Sequence, residues 1–423
     1  MKSKYLATAV SLAAVAVAYG DILDMDRENG IKVGQRMTLK PYVSFSYTYD
    51  SNVDSGRHSK AGSQWSVNPG LELVYLGDNW TVDGSVWYTY HAYNRYSRQL
   101  NTSSFGENLT FKWADSLPNE KGWSVLLSES FTQIAQDDDM SNHGGRGIGR
   151  DRKQLNVEGV LERRLSERIH AAANASYYLL DYKNDVDKYA SLYGWKRAHA
   201  GGEVGYMASN YLDLLLAANY QWYWQDNNKN RDYYRRDDAS RRGRRVASDS
   251  KGWTVMAGVG TRATEKLSYK LMGGWSRFEY GSGTKDIDGW TYQVSGDWQV
   301  DDDNTFHIMA LGASYYQPSE REYGSAIKVY SMGLGAGKGF VRNTLKGTLD
   351  FNYRRETHEY TEYSMDDYDL DYWTFRVGLN YRIHRMLAVF GRVEYQFCDS
   401  QGRNSYLNEY DRWRATVGFS LTY

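Results

Sequence analysis

The last nine residues alternate strictly between apolar and polar positions. The apolar set is Val417, Phe419, Leu421 and Tyr423, and small or polar residues separate its members. A period of two places the two sets on opposite faces of a β-strand. The segment therefore predicts a strand with one apolar face and one polar face.

The same alternation recurs along the chain, beginning with the segment from Leu39 to Tyr49. Short turns, such as Gly77-Asp78-Asn79, alternate with long polar connections, such as 134–152 and 226–250. This alternation is typical of outer-membrane barrels. It predicts an all-β fold, a single transmembrane antiparallel up-and-down β-barrel of about 18 strands, with 16 as the alternative. The alternative arises because 103–114 and 326–339 are weakly patterned.

The apolar faces need a cover, and the sequence offers no helical segments to provide one. Lipid can cover them, because a closed barrel pairs every strand edge that hydrocarbon would leave unsatisfied. The 38 tyrosines and 14 tryptophans suit the aromatic girdles of such a barrel. A soluble sandwich with packed aromatic residues is the alternative. An even strand count places both termini and the short turns in the periplasm, and the long loops outside the cell.

The amino terminus predicts export. Lys2 and Lys4 precede an apolar run over residues 5–18, which is too short for a typical membrane span. We expect residues 1–20 to be a cleaved signal peptide, with a short membrane anchor as the alternative. Residues 21–36 are then a periplasmic N-terminal segment and residues 37–423 the barrel. The predicted location is the outer membrane of a Gram-negative cell.

The net charge and the few cysteine and histidine residues limit which classes of function the sequence predicts. The net charge of -1 gives no overall attraction to nucleic acid, and Cys398 is alone, so it has no intrachain disulfide partner. The eight histidines are scattered without metal-ligand spacing. We predict no metal, no cofactor and no enzyme activity, although a Ser/His/Asp set stays open.

Three local motifs resemble ligand sites. Residues 24–35 resemble a calcium loop, but the glycine is one place late and Gln35 occupies the twelfth position. Residues 333–339 resemble a phosphate loop, but no Ser or Thr follows Lys338. The arginine-rich segment 231–245 lies in a predicted extracellular loop, where lipopolysaccharide phosphates are the nearest anions. A solvated loop with internal ion pairs explains that segment equally well.

The stretch from Leu39 to Val53, LKPYVSFSYTYDSNV, resembles the opening strand of the putative β-barrel porin families of bacterial outer membranes. This resemblance implies a porin-like barrel. The ending at Tyr423 also resembles the carboxy-terminal signal that the outer-membrane barrel assembly machinery reads. Outer-membrane lipids, lipopolysaccharide and this machinery are therefore the expected partners.

The strand face opposite the apolar one lines the predicted lumen. Its acidic members are Glu72, Asp83, Glu158, Glu162, Glu203 and Asp213. Its basic members are Lys40, Lys346, Arg354, Arg376, Arg382, Arg392, Arg412 and Arg414. The two sets occupy opposite arcs of the predicted barrel. The alternative is an ordinary polar lumen with partly paired charges, including Asp350 and Glu394.

The third long loop carries Asp137, Asp138 and Asp139, and its four glycines permit tight backbone turns. Porins are narrowed by their third loop, so the resemblance implies a constriction here. The three aspartates would then face Arg376, Arg392 and Arg414 and create a field across the pore. The alternative is a surface loop with solvated charges.

These features predict a porin-like channel for passive diffusion of small hydrophilic solutes. One alternative is a substrate-specific saccharide channel, in which the lumenal aromatic side chains of Trp87, Tyr178 and Tyr223 stack on sugar rings. The other is a barrel that displays loops or adheres to surfaces without conducting.

Overall fold

The computed structural model describes most of residues 30–423. The described residues are 30–53, 61–94, 101–115, 122–135, 151–182, 194–225, 249–262, 266–280, 286–301, 305–318, 326–341, 344–359, 368–401 and 409–423. Every regular element within these residues is a β-strand. In this part of the chain, no helix is long and apolar enough to span a bilayer.

Nineteen strands follow one another along the described chain. The first ten are β1 (Ile31–Val33), β2 (Met37–Asp50), β3 (Gly62–Leu76), β4 (Trp80–Tyr93), β5 (Thr102–Ala114), β6 (Trp123–Ala135), β7 (Arg152–Arg164), β8 (Ile169–Tyr182), β9 (Trp195–Ser209) and β10 (Leu212–Gln225). The others are β11 (Asp249–Arg262), β12 (Leu267–Tyr280), β13 (Ile287–Gln299), β14 (Phe306–Pro318), β15 (Ala326–Phe340), β16 (Leu345–Glu359), β17 (Tyr368–His384), β18 (Leu387–Gln401) and β19 (Tyr410–Thr422).

Strands β2 to β19 form a closed antiparallel barrel of 18 strands. Each strand pairs with its neighbour in sequence, and β19 pairs with β2 from Arg414↔Asp50 to Thr422↔Tyr42. The predicted all-β barrel is therefore confirmed, and 16 strands is wrong. The weakly patterned segments are the full-length strands β5 and β15. Their polar and glycine-rich faces hide the period of two, but ladder hydrogen bonds on both sides hold them in the wall.

Strand β1 extends the closing seam. It pairs with Met37–Leu39 of β2, beside the place where β19 ends. The backbone N–H of Tyr423 donates to the Pro41 carbonyl at 3.0 Å, so β1 continues the line of β19. This strand lies inside the segment predicted to be periplasmic. Residues 1–29, including the predicted signal peptide, lie outside the described residues.

The two ends of the barrel differ in their connections. One end, here the long-loop end, carries the connections 136–151 and 226–248. The opposite short-turn end carries two-residue turns at 210–211 and 385–386. Both the amino-terminal end of β2 and the carboxy-terminal end of β19 lie at the short-turn end.

The outer face of the barrel is a largely apolar belt. Leu127, Leu216 and Leu349 are exposed on it, and Trp275 and Trp290 meet edge to face near the long-loop end. Two carboxylates interrupt the belt in the middle of neighbouring strands. Glu107 pairs with Phe131, and Glu129 pairs with Leu109, so both follow the outward alternation of β5 and β6.

One seam in the wall is incomplete. The ladder between β13 and β14 runs only from Gln299↔His307 to Gln293↔Ala313, although both strands continue towards the long-loop end. By contrast, β14 and β15 stay paired as far as Pro318↔Ala326. Near the long-loop end β14 therefore separates from β13, whereas β15 stays paired with β16 as far as Ala326↔Glu359.

Candidate functional site

The polar side chains lie together on the lumenal face. Residues directly opposite each other in a ladder point to the same side of the sheet, so the polar residues of neighbouring strands adjoin one another. On β2 and β19, Phe45, Val417 and Phe419 are exposed outward, whereas Thr48 and Ser420 on the other face are buried. The acidic and basic residues predicted to line the pore alternate in the same way with exposed apolar residues.

Five consecutive strands carry one row of alternating charge across the lumenal face. Asp350, Arg376, Glu394, Arg414 and Asp50 stand directly opposite one another in order. Arg414 Nη1 lies 3.5 Å from Glu394 Oε1, and its Nε lies 3.3 Å from Asp50 Oδ2. Arg376 Nε donates to Glu394 Oε2. Here each of these charges has an opposite charge beside it, so the basic arc is partly neutralised by its own neighbours.

Arg412 reinforces this row one step nearer the long-loop end. Its Nε donates to both oxygens of Asp50 at 2.9 Å, and its Nη2 also contacts Asp50. The backbone N–H of Asn52 donates to Asp50 Oδ1 at 3.0 Å. Asp50 therefore joins the first and last barrel strands through charge-assisted hydrogen bonds, which are stronger than neutral ones.

Arg392 differs from the other basic residues of the row. It lies two residues from Glu394 on β18, opposite Gly378, and is exposed. Asp350, Glu394 and the like-charged Arg376 are within electrostatic reach of it. Among the described residues, however, none forms a hydrogen bond or ion pair with the Arg392 guanidinium. This cation is therefore exposed on the lumenal face without a direct carboxylate partner among these residues.

Other predicted basic residues also have carboxylate neighbours. Lys40 is buried directly opposite Glu72, and Arg354 Nη2 lies 2.5 Å from Glu356 Oε1. Lys346 and Arg382 lie nearer the short-turn end, on β16 and β17.

Cations also line the predicted acidic arc. Lys270 Nζ contacts Glu203 Oε2, and Lys112 Nζ lies 3.5 Å from Asp83 Oδ2. Arg197 is within electrostatic reach of Glu158. The prediction left out these three cations, although each occupies a lumenal position in the strand alternation. The remaining acids have their own neighbours: Ser124 Oγ donates to Glu162 Oε2 at 3.4 Å, and His170 lies near Asp213.

The aromatic residues proposed for sugar stacking separate into two environments. Tyr178 and Tyr223 are buried in a cluster with Trp195, Phe278 and other residues, so their rings are covered. Trp87 is half-buried on the lumenal face and lies over Gly106, where an added Cβ would meet its ring at 2.2 Å. Of the three, Trp87 retains a partly uncovered ring.

The candidate ligand motifs have structural explanations or lie elsewhere. The glycine-rich segment 333–339 is inside β15, and a Cβ at Gly333 would lie 2.7 Å from Asn352 Oδ1. Among the described residues, no group of three His, Cys, Asp or Glu side chains can hold a metal. Asp137, Asp138, Asp139 and the arginine-rich segment 231–245 lie outside the described residues.

Comparisons with known proteins agree with a barrel of this kind. A family model described as "Putative beta-barrel porin 2" matches residues 203–423, which is more than half of the chain. A second model, "Putative MetA-pathway of phenol degradation", matches residues 38–179. No curated protein matches the chain in sequence.

Several solved structures are similar to the barrel. The siderophore receptor PirA from Pseudomonas aeruginosa shares 8% identity, covers 93% of this chain and 81% of its own, and has a TM-score of 0.43. For the outer membrane protein OpdK from the same organism, these values are 12%, 91%, 99% and 0.43. For OccAB3 from Acinetobacter baumannii, they are 11%, 92%, 99% and 0.39.

Proposed function

The chain belongs to the Putative beta-barrel porin 2 family of outer-membrane barrels, and from this premise we propose that its lumen lets small hydrophilic solutes diffuse passively. The observation that carries the proposal is the charged row on the lumenal face, from Asp350 to Asp50. A closed barrel with an apolar exterior and a charged interior suits a water-filled pore. Passive diffusion needs no catalytic residue, so we propose that the protein is not an enzyme.

We further propose that Arg392 gives the pore a weak preference for anionic solutes. Arg376 and Arg414 already contact carboxylates of neighbouring strands, whereas Arg392 is exposed opposite a glycine. An anion passing this point can approach the guanidinium without displacing a protein carboxylate from a direct ion pair. Pore charge of this kind sets selectivity in channels.

Ion selectivity in planar bilayers tests the role of Arg392. The Arg392→Gln variant should shift the reversal potential in a salt gradient towards cation preference. Lys153→Gln is the matched control, because Lys153 is exposed on the outward face of β7. Equal reversal potentials for wild type and Arg392→Gln would contradict the assignment.

The predicted third-loop constriction stays a proposal. The three aspartates at 137–139 would add a negative charge opposite the basic arc. Replacing all three by asparagine should then shift selectivity towards anions, whereas an unchanged selectivity would favour a surface loop.

One observation favours a second candidate function, a saccharide channel. The ring of Trp87 is partly uncovered on the lumenal face, and aromatic faces can pack against the apolar faces of sugar rings. If this reading holds, sugars should block the ion current in a saturable way, and Trp87→Ala should remove the block. A barrel that only displays loops would carry no current at all.

The surroundings of the barrel follow from the same proposal. We infer that the long-loop end faces outward, where lipopolysaccharide can contact the long loops. Val417, Phe419, Leu421 and Tyr423 are all exposed on the outer face of β19 or just beyond it. Their side chains are therefore available to the barrel assembly machinery as a carboxy-terminal signal.

A further inference from the structure

The parts of β14 and β15 nearest the long-loop end lie inside the barrel. Ser314 and Tyr316 continue the outward alternation of β14, in which Gly312 pairs with the exposed Met332. Both are nevertheless buried, and Tyr316 is only 3% exposed. An outward position that is fully covered requires another part of the protein to lie over it.

The cover is the lumenal face of β13. Thr291 is buried there, next to the outward-facing and exposed Trp290, and its Oγ1 donates to the Ser314 carbonyl at 2.6 Å. A Cβ added at Gly289 would lie 3.1 Å from Tyr316 Oη and 2.7 Å from Lys328 Nζ. The outer side of the β14–β15 hairpin therefore rests on the inner side of β13, which places the hairpin in the lumen.

A contact across four strands holds the end of the hairpin. The hydroxyl of Tyr223, on the lumenal face of β10, can donate to the Tyr316 carbonyl at 3.0 Å, and it also lies 2.8 Å from Gln221 Oε1 on its own strand. The ring of Phe278 bridges them, with centroids 5.2 Å from Tyr223 and 6.3 Å from Tyr316. All three side chains are buried in one cluster. This cluster fixes the hairpin against the lumenal face of the adjoining wall, from β10 to β13.

Side chains also replace the missing ladder at the base of the hairpin. The backbone N–H of Tyr292 donates to Ser314 Oγ at 3.0 Å, and the Tyr292 hydroxyl donates to the Ser331 carbonyl at 3.1 Å. If the register Gln293↔Ala313 continued, Tyr292 would pair with Ser314 through the backbone instead. The Tyr292 N–H and the Ser314 backbone can therefore form hydrogen bonds in two positions of the hairpin. One is the inward position seen here, and the other is a position in the wall, paired with β13.

We propose that residues 314–318 and 326–330, here the inward hairpin, form the constriction that limits solute size, and that the constriction opens when the hairpin returns to the edge of β13. This inference rests on the proposed channel function. It assigns the constriction to the seventh long-loop hairpin, which is separate from the third loop. Tyr223 is a positioning residue, because it holds the inward hairpin through the Tyr316 carbonyl.

A reversible cross-link tests the movement. Thr291 Oγ1 and Ser314 Oγ lie 3.2 Å apart, so Thr291→Cys with Ser314→Cys, in a Cys398→Ser background, can form a disulfide in the inward position. Oxidation should lower the single-channel conductance, and a reductant should restore it. Thr48→Cys with Thr416→Cys is the control, since these hydroxyls lie 2.9 Å apart in the continuous β2–β19 ladder. This control pair should conduct equally in both redox states.

Loss of one hydroxyl tests the anchor. Tyr223→Phe should raise the conductance and admit larger neutral polymers in a size-exclusion measurement. Tyr177→Phe is the control, because Tyr177 is exposed on the outer face. If wild-type protein conducts but neither Tyr223→Phe nor oxidation of the Thr291/Ser314 pair changes conductance or size limit, the inward hairpin is not the constriction. If the wild type and every variant fold but carry no current, the channel function itself fails.

Discussion

Arg412 donates its single Nε–H to both carboxylate oxygens of Asp50, each 2.9 Å away, although Arg412 is only 1% exposed. The pair joins β19 to β2 and therefore lies across the seam that closes the barrel. Removing Asp50 takes away the carboxylate that contacts the buried Arg412 guanidinium. The seam is consequently a point where a single substitution should weaken the whole barrel.

The Asp50→Ala variant should lower the free energy of unfolding by about 3–5 kcal/mol, the usual cost of breaking a buried ion pair from one side. Asp78→Ala is the control, because the Arg36–Asp78 pair is exposed and such pairs contribute at most about 1 kcal/mol. Urea unfolding in lipid vesicles, followed by tryptophan fluorescence, measures both. Equal stability of the two variants would refute a stabilising role for the seam.

A cation on the apolar outer belt, in the middle of a strand, should destabilise the barrel. Leu127→Arg should destabilise the folded barrel by about 2–4 kcal/mol, because it places a charge on the lipid-facing side. Its neighbour Ser128 faces the lumen opposite Glu158, so Ser128→Arg gains a partner there. In the same unfolding experiment, Ser128→Arg should lower the free energy of unfolding much less than Leu127→Arg does. If Ser128→Arg lowered it more, the assignment of Leu127 to the lipid-facing side and Ser128 to the lumen would be wrong.

The carboxylates of Glu107 and Glu129 should destabilise the folded barrel. Each points outward from the middle of its strand, between apolar residues of neighbouring strands. The double variant Glu107→Leu and Glu129→Leu should therefore unfold at higher urea in vesicles than wild type. The Ser128→Leu variant, changed on the lumenal face, serves as the control. A lower midpoint for the double variant would show that the two carboxylates stabilise the barrel.

The alternation of apolar and polar residues predicted the barrel fold better than it predicted the side-chain arrangement inside the pore. A period of two identifies which face of each strand meets lipid, and this predicted the barrel and about 18 strands, although it left 16 open. It does not identify partners, because the reach of Lys270 from β12 to Glu203 on β9 depends on the curvature of the wall. The inward hairpin was missed for a similar reason. Tyr316 keeps the alternation of an outward residue, and only the end of the β13–β14 ladder reverses its environment.

A turn at the short-turn end should respond to acid. Asp301 accepts hydrogen bonds from the Thr305 hydroxyl, from the backbone N–H groups of Thr305 and Phe306, and from Lys338 Nζ. These donors, led by the Thr305 hydroxyl, hold the pKa of the Asp301 carboxyl well below its usual range. Because the folded pKa is lowered, the stabilisation is complete above the unfolded pKa of about 3.9 and is lost as pH falls towards the folded value.

Amide hydrogen exchange can follow this loss. The protection factors of Thr305 and Phe306 should decrease as the pH falls below about 3.9 in wild type. In Asp301→Asn they should start lower and change little over the same range, because the charged acceptor is absent. A pH dependence that survives in Asp301→Asn would assign the acid response to another group.

Electrical recording from the purified protein in planar lipid bilayers tests the central claim, that the charged lumen is a water-filled pore. The account predicts discrete current steps of uniform size that grow with salt concentration. The same sample should shift in gel mobility on boiling, which shows that the barrel was folded. A heat-modifiable barrel that inserts into the bilayer but gives no current steps would contradict the account.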